Sequence, residues 1–168
     1  MTTQIKGNDT STFGGNIDVT GNVVTDAPAF SAYANATQSL TNATWTKAQC
    51  NTEEFDTNAN YDNATNYHFT PTVAGYYQIN AGVTFNYTAA ADKAFATYIS
   101  KNGGVAKYTG RASSTGLLFP VATANCLIYL NGSTDSIAFY IYQNTGGSVS
   151  TVASSTDTYF QAHLARAV

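Results

Sequence analysis

The side chains best suited to chemistry in this sequence lie in one acidic, asparagine-rich segment. Hard oxygen donors grouped in a loop are what Ca²⁺ requires, so the segment is a candidate calcium site. Its spacing follows no established calcium motif, and a solvated loop is the alternative interpretation. The carboxylates are Glu53, Glu54, Asp56 and Asp62, and the interleaved amides are Asn58, Asn60 and Asn63.

Sequence motifs of enzyme active sites are missing from this chain. It contains no H-E-x-x-H, G-x-S-x-G, Walker A or G-x-G-x-x-G pattern. A polysaccharide depolymerase is the enzymatic alternative, with Asp56 or Asp62 as its acids. Such an enzyme needs two carboxylates on rigid elements at a defined separation, whereas these acids gather in one loop. We therefore predict that the protein is not an enzyme.

Polar and aromatic side chains in loops are the candidates for contacting a ligand. Tyr supplies a ring with a hydroxyl, and Asn and Arg supply hydrogen-bond donors. These candidates are Asn58, Asn60, Tyr61 and Asn63 in the acidic segment, and Tyr108 and Arg111 beyond a later hairpin.

Composition excludes several classes of protein. The net charge of -3 comes with seven scattered Lys and Arg residues, which form no basic stripe for nucleic acid. The first residues lack the pattern of a signal peptide, and the longest apolar runs have the length of strands, so we expect no membrane insertion. Cys50 and Cys126 form no metal or redox motif. We predict that both thiols face a core, with a disulfide between them as the alternative.

Alternation of apolar and polar residues predicts many short strands. Residues 76–88 show it most clearly, with Tyr77, Ile79 and Ala81 on the face assigned to the core. Asn102, Gly103 and Gly104 suit a tight hairpin turn that requires positive φ. The pattern favours an all-β, antiparallel sandwich or barrel. Further strands are predicted over 94–101, 105–110, 126–130, 137–142 and 159–168.

The first 26 residues differ from the rest of the chain. Glycines recur there at Gly7, Gly14 and Gly21, and isolated apolar residues stand among Thr, Asn and Asp. Such a stretch cannot bury its apolar side chains by itself. We predict that residues 1–26 are an anchor or a short trimeric β-stem, with a flexible tail as the alternative, and that residues 27–168 form the head.

Several short motifs in the head resemble one known family. Trp45 is followed by Asn51, Tyr61 and Phe69, and then by the run Gly75-Tyr76-Tyr77. The opening PAFSAY and the later ISKNG fit the same pattern. Together they resemble the globular head of the C1q/tumour necrosis factor family. This resemblance implies a jelly roll of two antiparallel sheets that assembles as a homotrimer about an aromatic axis and that binds other molecules.

The strand predicted over 137–142 is apolar on both faces. A sandwich strand in a monomer needs only one buried face, so we expect the second face to meet another subunit. Tyr140 and Tyr142 lie on that second face and are assigned to the trimer interface together with Tyr77. Tyrosines exposed to solvent on an outer sheet are the alternative.

These features predict a virion structural protein. In this hypothesis a C1q-like knob is displayed on a bacteriophage particle as a short head fibre, capsid decoration protein or tail-fibre tip. Residues 1–26 would contact capsid or tail proteins, and the head would bind a host surface glycan or protein. Assembly would take place in the host cytoplasm. A bacterial or secreted C1q-like adhesin or lectin is the alternative.

Overall fold

The computed structural model describes residues 27–88, 92–114 and 119–168. The predicted anchor or stem, residues 1–26, lies outside these ranges. The described part of the chain consists of strands and turns and has no helix, so it offers no helical segment able to span a membrane.

In the described residues, thirteen strands form two sheets. Five of them are long: β7, β8, β9, β10 and β13 have nine or more residues each. The strands are β1 Ala29–Tyr33, β2 Ser39–Leu40, β3 Thr46–Lys47, β4 Thr52–Asp56, β5 Tyr61–Asp62, β6 His68–Phe69, β7 Ala74–Asn86, β8 Lys93–Lys101, β9 Gly104–Ser114, β10 Val121–Asn131, β11 Ile137–Gln143, β12 Val149–Thr151 and β13 Tyr159–Ala167.

Both sheets are antiparallel. Sheet 1 has the order β2-β12-β7-β13-β1-β4, and β10 pairs with the other edge of β7. Sheet 2 has the order β5-β6-β11-β8-β9, and β3 also pairs with β11. Nearly every neighbouring pair in these sheets is distant in sequence. The chain therefore crosses repeatedly between the two layers, as in a sandwich and not in a meander.

The core lies between the sheets and is rich in phenylalanine. In β7 the face predicted to be buried is buried, and Tyr77, Ile79 and Ala81 are all fully enclosed. Aromatic rings from both sheets meet above this face. Phe30 of sheet 1 stacks on Phe69 of sheet 2 with ring centroids 4.6 Å apart. Ring stacking of this kind contributes on the order of 1 kcal/mol beyond the area that the rings bury.

The predicted hairpin between β8 and β9 is confirmed. Asn102 and Gly103 have φ of 52° and 80°, so the turn uses positive φ at two consecutive positions. Two such residues produce a turn whose twist matches that of the flanking strands. The hairpin lets β9 pair with β8 along the edge of sheet 2.

Candidate functional site

The acidic segment is built into the fold through hydrogen bonds of its own. The Asp56 carboxylate accepts from the backbone N–H of Tyr61 at 2.7 Å and from that of Asn58 at 3.3 Å. Glu54 Oε2 accepts from the Ser31 hydroxyl at 2.6 Å. The Asp62 carboxylate caps the turn that follows it, with the N–H of Thr65 at 2.8 Å. Each of these carboxylates therefore stabilises a different part of the local structure through its own hydrogen bonds.

The pKa values agree with this structural role. The backbone N–H of Thr65, followed by that of Ala64 and the side chain of Asn66, lowers the pKa of Asp62 to about 2. The pKa of Glu53 is raised, first by partial desolvation and then by the nearby charge of Asp56.

The predicted calcium ligands Glu53, Glu54, Asp56 and Asp62 do not come together as a group in the described structure, and calcium binding stays a prediction. Within residues 27–88, 92–114 and 119–168, no three Asp, Glu, His or Cys side chains gather to hold a metal ion. The reason is that strand β4 and the following turns separate the carboxylates that are close in sequence.

Two further predicted site residues are core residues. Tyr61 is only 6% exposed; its ring stacks on Phe30 at 4.5 Å, and its hydroxyl donates to the Cys50 carbonyl at 2.9 Å. Tyr77 is fully buried, and its hydroxyl donates to the Val73 carbonyl at 2.7 Å. The prediction of Tyr61 as a ligand contact and of Tyr77 as an interface contact is therefore wrong.

The asparagines of the acidic segment are half-buried, and some of their side-chain atoms form hydrogen bonds within the loop. Asn60 Oδ1 accepts from the backbone N–H of Thr72 at 3.2 Å, and Asn60 Nδ2 donates to the Asn58 carbonyl at 3.0 Å. Asn63 lies next to the Asp62 cap. These side chains shape the loop, and a role for them in binding a ligand stays a prediction.

Both cysteines are free thiols, as predicted, and they do not pair. Burial raises the pKa of Cys50 to about 12. Desolvation likewise raises the pKa of Cys126 to about 11, against a smaller opposing effect of Lys107. Thiols with raised pKa values are poor nucleophiles at neutral pH, so neither cysteine is suited to catalysis.

Tyr108 and Arg111 lie together in a groove on the outer face of sheet 2. Cross-strand pairing places Tyr142 of β11, Ala96 of β8 and Arg111 of β9 in one row. Because directly paired residues project to the same face of a sheet, the small Ala96 lies between two long side chains. The next row contains Tyr98 between its partners Tyr140 and Tyr108.

Trp45 closes one side of this groove from the loop before β3. The loop is held against β11 because Ala43 N–H donates to the Gln143 carbonyl at 2.8 Å, and Gly146 N–H donates to Asn42 Oδ1 at 2.8 Å. Ring centroids of Trp45 lie 4.6 Å from Tyr98 and 5.0 Å from Tyr142. We call the resulting cavity of about 380 Å³ the aromatic groove; the residues that matter here are Trp45, Ala96, Tyr108, Arg111, Tyr142 and Asn144.

Polar groups in the aromatic groove have unused hydrogen-bonding capacity. The Arg111 guanidinium forms neither a salt bridge nor a hydrogen bond with the described residues, and it is exposed. Asn144 Oδ1 accepts from Ala94 N–H at 2.6 Å, which orients its amide. Sequence reasoning singled out Tyr108 and Arg111 but not Trp45 and Asn144, which line the same groove. The signal was weak because Trp45 comes from a distant loop.

The second face of β11 is covered within the chain. Tyr140 stacks on Tyr98 with centroids 4.8 Å apart and an interplanar angle of 5°. Trp45 covers Tyr142, and Lys47 Nζ lies 5.9 Å from the centroid of Tyr140. Both tyrosines are half-buried. Other residues of the chain therefore cover part of this face, and the assignment of Tyr140 and Tyr142 to a trimer interface stays a prediction.

A different apolar surface lies on the outer side of sheet 1. Tyr129 of β10 pairs with Tyr76 of β7, and Leu127 and Val121 follow on the same side of β10. Each of the four side chains is between 41% and 53% exposed. We call this surface the β7–β10 face. Strand β10, Val121–Asn131, contains no charged residue.

Comparison with known proteins identifies the fold but no family. No protein-family model and no curated protein matches the chain. The globular domain of zebrafish complement 1qA is a similar solved structure, with a TM-score of 0.59, 15% identity and coverage of 84% of this chain and 99% of that one. Murine APRIL at pH 5.0 is a second similar structure. Its TM-score is 0.60 and its identity 11%, and the match covers 82% of this chain and 98% of that one.

Eiger, the tumour necrosis factor of S. frugiperda, is a third similar structure. It has a TM-score of 0.54 and 10% identity, and the match covers 84% of this chain and 94% of Eiger. At these identities the likeness concerns the fold alone. The prediction of an all-β, C1q/TNF-like jelly roll is confirmed.

Proposed function

We propose that this protein is a non-enzymatic binding module that assembles as a homotrimer through the β7–β10 face. The observation that carries the proposal is the exposure of Tyr76 of β7 and of Val121, Leu127 and Tyr129 of β10 on one side of two paired strands without charged residues. Tyr76, Leu127 and Tyr129 are neighbours on this face, and exposed apolar side chains that cluster in this way mark interaction sites. The jelly-roll likeness adds support, since the C1q/TNF resemblance implies three-fold assembly.

The composition of the β7–β10 face suits a buried interface. Charged residues are depleted at the centre of interfaces, whereas tyrosine is enriched because its ring adds area and its hydroxyl keeps a hydrogen bond. Tyr76 and Tyr129 already contact each other with centroids 5.6 Å apart, so they form a pre-ordered pair. Full burial of a side chain such as Leu127 contributes about 1.5–3 kcal/mol.

A binding role fits the rest of the described surface. The carboxylates of the acidic segment are engaged in loop contacts, and the aromatic groove contains no acid or histidine to transfer protons. Trimeric assembly displays three copies of each surface at once, so weak contacts with a repetitive target add together through avidity. This is the physical advantage of a trimeric knob.

The decisive experiment measures the native mass of the full chain by light scattering. We expect a trimer for the unmodified protein and a monomer for Leu127→Glu, because three buried carboxylates would each lose hydration near the axis. Val105→Glu is the matched control, since Val105 is 49% exposed and Leu127 51%, but Val105 lies at the β8–β9 hairpin. A monomeric unmodified protein, or a trimer that survives Leu127→Glu, would refute the proposal.

We propose in addition that this knob is displayed on a bacteriophage particle. Support comes from the sequence alone: the recurring glycines of residues 1–26 and the Thr- and Asn-rich, weakly charged surface. Mass spectrometry of gradient-purified particles from the source culture tests it. Recovery in intact particles would support the virion role, and recovery only in a secreted or envelope fraction would favour the adhesin alternative.

A further inference from the structure

The aromatic groove owes its depth to one small residue. Ala96 stands in a cross-strand row between Tyr142 and Arg111, and both neighbours are far longer than a methyl group. Because the Ala96 side chain is only a methyl group, it forms the bottom of the groove, and the longer side chains of Tyr142 and Arg111 form its two sides. A volume of about 380 Å³ falls within the range of small-ligand sites, about 300–1,000 Å³. The groove therefore suits the end of a small or chain-like molecule better than a folded surface.

The walls combine flat rings with donors that have no partner among the described residues. Trp45, Tyr108 and Tyr142 present ring surfaces, and no described group bonds to the indole N–H or to the two tyrosine hydroxyls. A sugar ring has matching chemistry, because its C–H faces pack on aromatic rings while its hydroxyls exchange hydrogen bonds at the edge. Rigid rings also lose little conformational entropy when a ligand binds.

The charge of the groove is positive and uncompensated. Arg111 is the charged residue of the lining, and no carboxylate lines the groove beside it. A guanidinium has a planar fork of donors that matches an oxyanion, and a free one at the edge of an aromatic cavity favours an acidic ligand over a neutral one.

We infer that the aromatic groove binds the acidic end of a saccharide, with the sugar ring on Trp45 and Tyr108 and its oxyanion on Arg111. This inference deepens the proposed binding function and rests on it. It does not depend on trimer formation, because the groove lies on sheet 2 and the β7–β10 face on sheet 1. Carboxylated and sulfated sugars share the oxyanion, and the probes below separate them.

Trp45 is the single tryptophan of the chain, so its fluorescence reports occupancy of the groove directly. The full chain is titrated with 3′-sialyllactose and 3′-sulfolactose, each compared with lactose, and with trigalacturonic acid compared with its methyl ester. We expect a saturable fluorescence change for at least one acidic probe, about tenfold tighter than for its neutral counterpart. Loss of one charge-assisted contact corresponds to about tenfold or more in affinity.

Three variants test the geometry separately. Arg111→Gln is expected to reduce the affinity of the acidic probe to that of its neutral counterpart. Ala96→Met fills the floor without removing a polar group and is expected to weaken binding of the acidic probe about tenfold. Arg166→Gln removes the same charge from an exposed position on β13 and should leave binding unchanged. Circular dichroism confirms that each variant is folded.

Several results would overturn the inference. It fails if no probe changes Trp45 fluorescence up to about 10 mM, a range that covers weak single-site binding. It also fails if lactose binds as well as the acidic probes, or if the acidic preference survives Arg111→Gln. A trimer that binds no probe refutes this inference alone, and a monomer that binds an acidic probe refutes only the trimer.

Discussion

Single side chains hold the turns of this sandwich, and Asp135 is the clearest case. Its carboxylate accepts from Lys101 Nζ at 2.8 Å, from Asn102 Nδ2 at 2.7 Å and from the backbone N–H of Asn131 at 2.9 Å. Lys101 also donates to the Tyr129 carbonyl at 2.8 Å. One nearly buried carboxylate therefore joins the β8–β9 hairpin to the turn between β10 and β11.

Asp135→Asn is expected to lower the free energy of unfolding by about 1–3 kcal/mol at pH 7, because the amide cannot accept all three bonds. The hydrogen bond from Lys101, followed by that from Asn102, lowers the pKa of Asp135 below 3.8. A carboxyl group whose pKa is lower in the folded than in the unfolded protein stabilises the fold at pH values above its unfolded-state pKa. This stabilisation is lost as the pH falls through its folded-state pKa. The difference in the free energy of unfolding between the unmodified protein and Asp135→Asn should therefore become smaller below pH 3.8.

Urea unfolding at pH 7, 5 and 3 measures this difference. Asp92→Asn is the control, since Asp92 is exposed and forms no bond to another described residue. A deficit for Asp135→Asn that stays constant from pH 7 to pH 3 would contradict the assignment of the pH-dependent part to this carboxylate.

The two sheets approach each other closely where β9 of sheet 2 meets β10 of sheet 1. Thr97 Oγ1 donates to the Thr123 carbonyl at 2.9 Å, which is a hydrogen bond between the two layers. Gly110 pairs with Thr97 next to a register shift of the β8–β9 ladder. A Cβ on Gly110 would lie 2.2 Å from the Thr123 carbonyl oxygen. This glycine is required by close approach of the two backbones.

Gly110→Ala is therefore expected to destabilise the fold by about 1–3 kcal/mol, the usual cost of overpacking. Gly147→Ala is the matched control, because nothing lies within 4 Å of a Cβ there and its φ is not positive. Chemical denaturation compares the two variants. Equal stability of both variants would show that the sheets can separate at this point without cost.

The proposed assembly would use one of the two outer faces of the molecule and leave the other open. On sheet 2, Trp45 and Lys47 partly cover Tyr98 and Tyr140 and leave Tyr108 exposed, whereas sheet 1 leaves the β7–β10 face uncovered. One face is thus available for self-association while the opposite groove stays open to a ligand. A trimer built in this way would carry three outward grooves.

A trimer stabilised by the β7–β10 face should melt at a temperature that rises with protein concentration, because dissociation accompanies unfolding. Calorimetry of the full chain at about 5 µM and about 200 µM measures this effect. Leu127→Glu should show no concentration dependence, and Val105→Glu should behave as the unmodified protein does. A melting temperature independent of concentration in the unmodified protein would mean that the folded unit is a monomer.

Local pattern was sufficient to predict most of the long strands. Alternation in β7 identified its buried face, and Asn102-Gly103 identified the hairpin, because period-two burial and positive φ are properties of adjacent residues. Strand β10 begins at Val121, before the predicted 126–130, since its small residues Ala122 and Ala124 carry little pattern and are buried by pairing with β7. The short motifs also indicated the jelly roll.

The site depended on contacts between residues distant in sequence. The carboxylates clustered along the chain are separated by β4 and its turns, and Tyr61 is drawn into the core by stacking on Phe30. Conversely, Trp45 and Arg111 share a groove because β3 and β9 lie on either side of β8 and β11. The sequence was enough for the class of fold and its main strands, since these follow from neighbouring residues. Which side chains share a surface was settled only in the tertiary structure, because the pairing of distant strands places them.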